Sequence, residues 1–192
     1  MKKKQLHFSK EKKRFDFNIF HKVLAWIFQI LVVCLIAFVI VWYFGQRVRN
    51  IGESMRPVLN NADVVLVNRI IYNASIPQRG DIIVFQPHGN EHLHFHIKRI
   101  IGLPGEMIEI REGIVYINGE ALEEEYETTQ IQDAGLAAEP IVLDGDEYFV
   151  LGDNRMSSED SRMADVGTVR RSDIEGKVWF VVSPRSSFGF VE

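Results

Sequence analysis

The chain has 192 residues, 46% of them apolar, which suits one compact domain together with one additional element. Eight basic and two acidic residues lie at positions 1–22, so the formal net charge of −4 hides a remainder with 14 basic and 24 acidic side chains. This acidic remainder argues against nucleic acid as a partner, because phosphate binding requires lysine and arginine.

The segment 23–44 has the composition of a membrane-spanning helix. It contains no charged residue, and Gln29 is its one strongly polar side chain. A helix needs about 20 apolar residues to cross the hydrocarbon core, so the segment predicts a transmembrane anchor in contact with the lipid bilayer. Trp26 and Trp42 lie near its ends, where amphipathic aromatic side chains suit the lipid interface. A buried core helix is the alternative, but such helices usually carry a polar stripe, which is absent here.

A cleavable signal peptide is a second interpretation of the same segment. The apolar part of a signal peptide is typically about 7 to 15 residues long and ends at small residues. This segment is longer and is followed by Gly45-Gln46-Arg47, so we predict an uncleaved anchor. The basic tail, residues 1–22, is predicted to stay in the cytoplasm, since basic flanks are retained there. The protein is thus predicted to lie in the cell membrane, with residues 45–192 forming an extracytoplasmic domain.

The single cysteine of the chain, Cys34, lies inside the predicted anchor. The outer domain therefore has neither a disulfide nor a thiol nucleophile, which excludes the cysteine proteases. Its 148 residues are enough to build a hydrophobic core without covalent cross-links.

Short β-rich runs bounded by Gly, Asp, Asn or Pro recur along the outer domain, a pattern typical of all-β folds. The runs are 64–67, 82–85, 107–110, 114–117, 148–151 and 178–182. Arg111-Glu112-Gly113 predicts a tight hairpin between two of them, and Asn118-Gly119 predicts a second turn. Residues from about 120 to 139 contain the acidic run Glu123-Glu124-Glu125 and are predicted to form an exposed excursion.

Three features of the outer domain suggest a nucleophilic site. Ser54 follows Gly52 in a turn that Pro57 closes, although a serine in such a turn is more often structural. Lys98 enters an apolar run, and the outer domain has only one other lysine, Lys177. A buried lysine has a lowered pKa, and its neutral amine can accept a serine proton. The alternative is that Lys98 extends its amine to water.

The third feature is the segment 152–162, GDNRMSSEDSR, in which acids, arginines and serines alternate. These side chains bond readily to nearby backbone and to one another, so the segment predicts a polar network that holds a loop in place. A solvated turn is the alternative.

Four segments together resemble, in order, the sequence boxes of the bacterial type I signal peptidases, which use a serine–lysine dyad. They are SMRPVL at 54–59, GDIIVF at 80–85, KRIIGLPGE at 98–106 and GDNRMSSEDSR at 152–162. The anchor resembles the family's fifth element. The resemblance implies a mostly β fold, an antiparallel two-sheet catalytic domain preceded by one transmembrane helix. It also implies a serine endopeptidase that cleaves signal peptides from exported preproteins and needs no cofactor or metal.

The resemblance implies roles by position. Ser54 matches the nucleophile, Lys98 the general base, and Ser158 a serine whose hydroxyl orients the lysine amine. Met55 matches a residue that lines the substrate cleft. The residues that match positions bracing the site are Asp153, Arg155, Asp160 and Arg162, joined by Arg99. Some members have a serine, an oxyanion donor, where Gly52 stands, so backbone N–H groups are expected to hold the oxyanion here.

The histidines raise a separate possibility, since His88, His92, His94 and His96 lie shortly before Lys98. Two strand-spaced histidines can bind a metal, but no carboxylate or cysteine completes a recognisable ligand spacing, so no metal site is predicted. A period-two strand would place His94, His96 and Lys98 on one face, where protonated imidazoles would lower the lysine pKa further.

Two other functions are compatible with parts of the pattern. One is an anchored β domain without activity, against which the intact Ser54 and Lys98 argue. The other is a self-cleaving repressor with a Ser–Lys dyad, but such proteins are cytosolic and bind DNA, unlike an anchored acidic chain.

Overall fold

The computed structural model describes residues 17–90 and 94–191. Two compact units are separated after Val39. Helix α1 (Phe17–Phe44) includes a stretch, Ile19–Val39, that is long and apolar enough to cross a membrane, with a mean hydropathy of 2.5 and no buried side chain. The predicted anchor at 23–44 lies within α1, which begins earlier, at Phe17.

The regular secondary structure of the second unit is mostly antiparallel β-strand, which confirms the predicted fold class. Besides the short helix α2 (Ile71–Ala74), it contains β1 (Gln46–Arg49), β2 (Val64–Asn68), β3 (Ile82–Phe85), β4 (His96–Gly102), β5 (Met107–Arg111), β6 (Ile114–Ile117), β7 (Glu120–Ala121), β8 (Ile141–Val142), β9 (Glu147–Leu151), β10 (Val169–Arg170), β11 (Ile174–Ser183) and β12 (Gly189–Phe190). Each of the six predicted runs coincides with a strand or lies within one.

These strands form two sheets. The larger has the order β1-β2-β11-β3-β4-β9-β10, with β12 paired to β11, and the smaller has the order β7-β6-β5-β8. Both predicted turns of the smaller sheet are present. Glu112 and Gly113 have φ values of 50° and 79°, and Asn118 and Gly119 have values of 52° and 89°. Consecutive positive φ values match the twist of two-residue hairpins.

The apolar faces of the strands form three core clusters. Ile97 and Val65 belong to the first cluster, which also holds Met55 and Leu59 from the segment between β1 and β2. The third cluster joins the two sheets, with Phe149 of β9 packed among residues of the smaller sheet such as Ile108. The core thus reaches directly beneath the segment that contains Ser54.

The predicted exposed excursion, residues 120–139, is more closely attached to the domain than we expected. Many of its side chains are exposed, but Ile131 and Ala137 are buried and Leu122 and Tyr126 pack against the third cluster. Apolar side chains spaced through a polar segment are enough to hold it on the sheet, since each buried group favours attachment. The segment is therefore exposed over much of its length and attached to the domain through a few side chains.

Candidate active site

The segment after β1 presents Ser54 in a fixed turn. Asn50 donates its backbone N–H to the carbonyl of Asp63 over 2.7 Å and accepts the N–H of Ala62 over 2.9 Å, which closes the base of the segment. Gly52 has a φ of +89°, a conformation that residues with a side chain rarely adopt. The Ser54 side chain is therefore held over the core, and the residue is only 9% exposed.

Strand β4 brings Lys98 to the same place. Lys98 pairs with Ile83 of β3 in the middle of the larger sheet, and the residue is only 4% exposed. Its Nζ lies 2.7 Å from Ser54 Oγ. The two residues that the sequence singled out, 44 positions apart, are therefore in hydrogen-bond contact in a buried setting.

Burial lowers the pKa of Lys98 from its ordinary value of 10.5 to about 8, because the charged amine loses its hydration. The carboxylates of Asp160, Glu159 and Asp153 oppose this effect, whereas the guanidinium of Arg162 adds to it. With a pKa of about 8, roughly one amine in ten is neutral at pH 7, against about one in 3,000 at the ordinary value. An amine that is neutral in this proportion can accept a proton near neutral pH.

A cavity of about 700 Å³ opens onto the dyad. Its walls come from the Ser54 turn, the start of β4, the 152–162 loop and the segment 120–139. The lining residues are Asn50, Ile51, Gly52, Glu53, Ser54, His94, Phe95, His96, Ile97, Lys98, Gln132, Asp133, Gly135, Arg155, Met156, Ser157, Ser158, Glu159, Arg162 and Met163. A cleft of this size, lined by backbone and mixed side chains, can accept an extended peptide.

Two buried ion pairs hold the 152–162 loop beside the dyad. Arg99 contacts both carboxylate oxygens of Asp153, over 2.9 Å and 2.8 Å. Arg162 contacts both oxygens of Asp160, over 2.8 Å and 3.0 Å, and also donates to the carbonyl of Arg155 over 2.8 Å. Such bidentate pairs fix the orientation of the guanidinium and carboxylate groups as well as the distance between them. The structure therefore brings all five predicted bracing residues together.

Gly152 allows this loop to touch the Ser54 turn. A Cβ atom at position 152 would stand 2.4 Å from the carbonyl oxygen of Ser54 and 2.3 Å from Ser158 Oγ, both far inside contact distance. Asn154 donates its N–H to the same Ser54 carbonyl over 3.0 Å and its side-chain amide to the carbonyl of Glu53 over 3.2 Å. The absence of a side chain at position 152 is thus a requirement of the site.

Two of the predicted positions differ from their expected roles in detail. Ser158 lines the cavity, but within the described residues its buried hydroxyl has no hydrogen-bond partner, so its contact with the Lys98 amine is absent here. Met55 is fully buried with Leu59 in the first core cluster and lies outside the cavity lining. Adjacent side chains of the turn point in different directions, so Ser54 faces the cavity and Met55 faces the core.

The model of the signal peptidase, peptidase S26 family matches residues 23–183. The chain belongs to this family.

Two relatives cover most of the chain. Signal peptidase I P of Bacillus subtilis subsp. natto is 34% identical over 184 residues, covering 92% of this chain and 95% of the relative. Signal peptidase IB of Staphylococcus aureus strain COL is 32% identical over 182 residues, covering 87% and 93%. The crystal structure of a signal peptidase I from Enterococcus faecalis V583 is 35% identical and covers 54% of this chain and 97% of that one, with a TM-score of 0.42.

Sequence reasoning missed several residues that surround the candidate site. One is Asn154, which contacts the Ser54 turn, and another is Glu159, whose carboxylate opposes the lowering of the Lys98 pKa. Three more, Glu124, Tyr126 and Thr129, lie in the segment 120–139. Tyr126 and Leu122 were the available signal, since apolar side chains within an acidic segment indicate a surface that packs.

The structure describes three of the four histidines that lie shortly before Lys98. Burial and the nearby Lys98 lower the pKa of His96, so its imidazole is neutral at pH 7 and adds no charge beside the lysine. His94 lines the cavity, and His88 contacts the carbonyl of Asp165. His92 lies outside the described residues. Among the described residues there is no group of three His, Cys, Asp or Glu side chains arranged to hold a metal ion.

Proposed function

We propose that the chain is a membrane-bound serine endopeptidase that cleaves N-terminal signal peptides from exported preproteins. The observation that carries this proposal is the buried contact of 2.7 Å between Lys98 Nζ and Ser54 Oγ, at the base of a cavity large enough for a peptide. Family membership and relatives named signal peptidase I supply the reaction class.

The chemistry follows from the dyad. The neutral Lys98 amine accepts the Ser54 proton as the oxygen attacks the scissile carbonyl, and backbone N–H groups, that of Ser54 among them, stabilise the oxyanion. Lys98 then protonates the leaving amine, which releases the mature protein and leaves an ester on Ser54. A water molecule deprotonated by Lys98 hydrolyses this ester. Ser158, which lines the cavity, is proposed to orient the amine once substrate fills it.

The anchor explains how enzyme and substrate meet. Helix α1 is proposed to span the cell membrane with the basic tail in the cytoplasm and residues 45–192 outside. Ser54 follows Phe44 by ten residues, so the chain alone keeps the nucleophile within about 35 Å of the helix end. The cleavage site of an exported preprotein emerges from the bilayer in the same region. Small residues at the first and third positions before the cut would suit this substrate class.

The test is cleavage of a purified preprotein by the full-length protein in detergent. The expected product is the mature protein with its new N-terminus at the signal-peptide junction, as read by intact mass and N-terminal sequencing. A Ser54→Ala preparation purified in parallel is the control for contaminating proteases. Failure to cut any of a panel of preproteins would instead support the anchored β domain without activity.

Activity is expected to rise with pH up to about 8. The folded-state pKa of Lys98 is lowered from 10.5 to about 8, so the neutral, active form accumulates about tenfold per pH unit below that point. The logarithm of kcat/KM should therefore rise with a slope near one between pH 6 and 7.5 and level off above about 8. His96 titrates below its ordinary value and is separate from this transition.

The variant Glu159→Gln tests the same dependence of kcat/KM on pH. Because the Glu159 carboxylate raises the Lys98 pKa, its removal should move the midpoint to lower pH. A profile that is flat from pH 6 to 9, or a midpoint that moves upward in the variant, would contradict Lys98 as the base.

A further inference from the structure

The segment 122–137, called the strap below, runs across the 152–162 loop at several points. Thr129 donates its N–H to the carbonyl of Asp153 over 3.1 Å, and its hydroxyl contacts the Asn154 side chain over 3.3 Å. Further along, Arg162 donates to the carbonyl of Asp133 over 3.0 Å, and its own carbonyl accepts the N–H of Leu136 over 2.8 Å. The strap thus touches the loop near both of its ends.

Glu124 provides the charged contact between strap and loop. Its carboxylate pairs with the guanidinium of Arg155, whose side chain is 1% exposed. Arg155 also donates its Nε to the carbonyl of Gly152 over 2.9 Å, at the point where the loop meets the Ser54 turn. A buried guanidinium that loses its counter-charge moves toward water, so Glu124 determines where this part of the loop rests.

Tyr126 provides a second contact, on the lysine side of the dyad. The guanidinium of Arg99 lies over the Tyr126 ring, 4.0 Å from its centre, and the same guanidinium holds Asp153. The Tyr126 hydroxyl donates to Glu124 over 3.0 Å, and burial and that carboxylate raise the pKa of the phenol, which keeps it protonated. Arg99 follows Lys98 directly in β4, so the Tyr126 ring packs on the residue next to Lys98.

We infer that Glu124 and Tyr126 are positioning residues, which hold the 152–162 loop and through it the relative placement of Ser54 and Lys98. Each one contacts an arginine that is connected to one member of the dyad: Arg155 to the Ser54 turn, and Arg99 to β4. The catalytic consequence rests on the proposed function, whereas the effect on the loop does not depend on it.

The acidic run itself supplies matched controls. Glu123 and Glu125 flank Glu124 but are exposed, whereas Glu124 has a side-chain exposure of 16% and faces Arg155. All three substitutions by glutamine remove one negative charge from the same stretch. A general effect of net charge would therefore appear in all three variants, whereas an effect of positioning would appear only in Glu124→Gln.

The experiment compares full-length wild type, Glu123→Gln, Glu124→Gln, Glu125→Gln, Tyr126→Phe and Tyr126→Leu in detergent. Since small misplacements of catalytic groups cost up to about 100-fold, we expect Glu124→Gln and Tyr126→Leu to lower kcat roughly 10- to 100-fold. KM should change little, because neither side chain lines the cavity. Tyr126→Phe keeps the ring over Arg99 and should retain most of the activity.

Two further readouts separate positioning from a general loss of stability. Amide hydrogen exchange should accelerate in residues 152–162 of Glu124→Gln while β5 and β6 keep wild-type protection. The midpoint of the pH profile should rise, because a loosened loop admits water to Lys98 and restores part of its ordinary pKa. The conservative Tyr126→Phe variant should show neither change.

The inference is overturned if Glu124→Gln matches Glu123→Gln in kcat and in exchange, or if exchange accelerates uniformly over the whole domain. If the wild type cleaves no preprotein, the proposed function fails, and the exchange of residues 152–162 still decides whether the strap holds the loop.

Discussion

Replacing Lys98 with methionine is expected to abolish turnover while making the protein more stable. Methionine fills a similar volume but accepts no proton, so kcat should fall by about 10³-fold or more, the range of a general base that serves two steps. Because the folded state lowers the lysine pKa from 10.5 to about 8, burying the charged amine costs about 3 kcal/mol at pH 7. The variant should recover that amount in its free energy of unfolding.

The size of this stability effect depends on pH in a defined way. The unfolded chain binds more protons at this lysine than the folded one between about pH 8 and 10.5. The advantage of Lys98→Met should therefore be complete below about pH 8 and disappear as the pH approaches 10.5. Denaturant unfolding of the full-length protein at pH 7 and pH 10 measures both values.

Lys177→Met is the matched control, because Lys177 is the other lysine of the outer domain and pairs with Asp81. It should keep wild-type turnover and lose stability, the opposite of Lys98→Met. An active Lys98→Met enzyme, or equal effects of the two substitutions, would remove Lys98 from the mechanism.

Replacing Asp153 with asparagine is expected to give the largest loss of stability. The Asp153 and Arg99 side chains are 0% and 2% exposed, and the substitution leaves the guanidinium buried without its counter-charge. Removal of one partner from such a pair typically costs about 3–5 kcal/mol in the free energy of unfolding. Activity should fall as well, since Asp153 lies in the loop that contacts the Ser54 turn.

An exposed pair provides the comparison for Asp153. Arg69 and Glu175 form an ion pair with side-chain exposures of 49% and 28%, so Glu175→Gln should change the free energy of unfolding by less than about 1 kcal/mol. Denaturant unfolding measures both variants. If the free energy of unfolding falls with denaturant concentration as steeply in each variant as in the wild type, the difference in stability belongs to the ion pair itself. A loss of under 1 kcal/mol in Asp153→Asn would show that the buried charge is compensated by other groups.

These predictions share one physical basis, the low exposure of the charged groups around Ser54. Burial makes the Lys98 amine a base, and it makes each ion pair of the 152–162 loop sensitive to the loss of one partner. The same burial that lowers the Lys98 pKa thus requires the loop to be held in place, which is the role proposed for the strap.

Local patterns determined much of the fold. Apolar runs bounded by turn residues located six strands, because alternation and turn chemistry act between near neighbours in the chain. Asn118, Gly119 and Gly113 located their turns for the same reason, since glycine and asparagine adopt positive φ values more readily than other residues. The apolar segment at 23–44 likewise predicted a helix by composition alone.

The sequence by itself also singled out Ser54 and Lys98, since four segments that include them resemble, in order, the sequence boxes of the signal peptidases. Only the tertiary structure decided that Ser54 and Lys98 meet, that Met55 turns into the core, and that Glu124 of three adjacent glutamates pairs with Arg155. The reason is physical: these outcomes depend on burial and on contacts between distant segments. Neither is encoded in the spacing of residues along one stretch of chain.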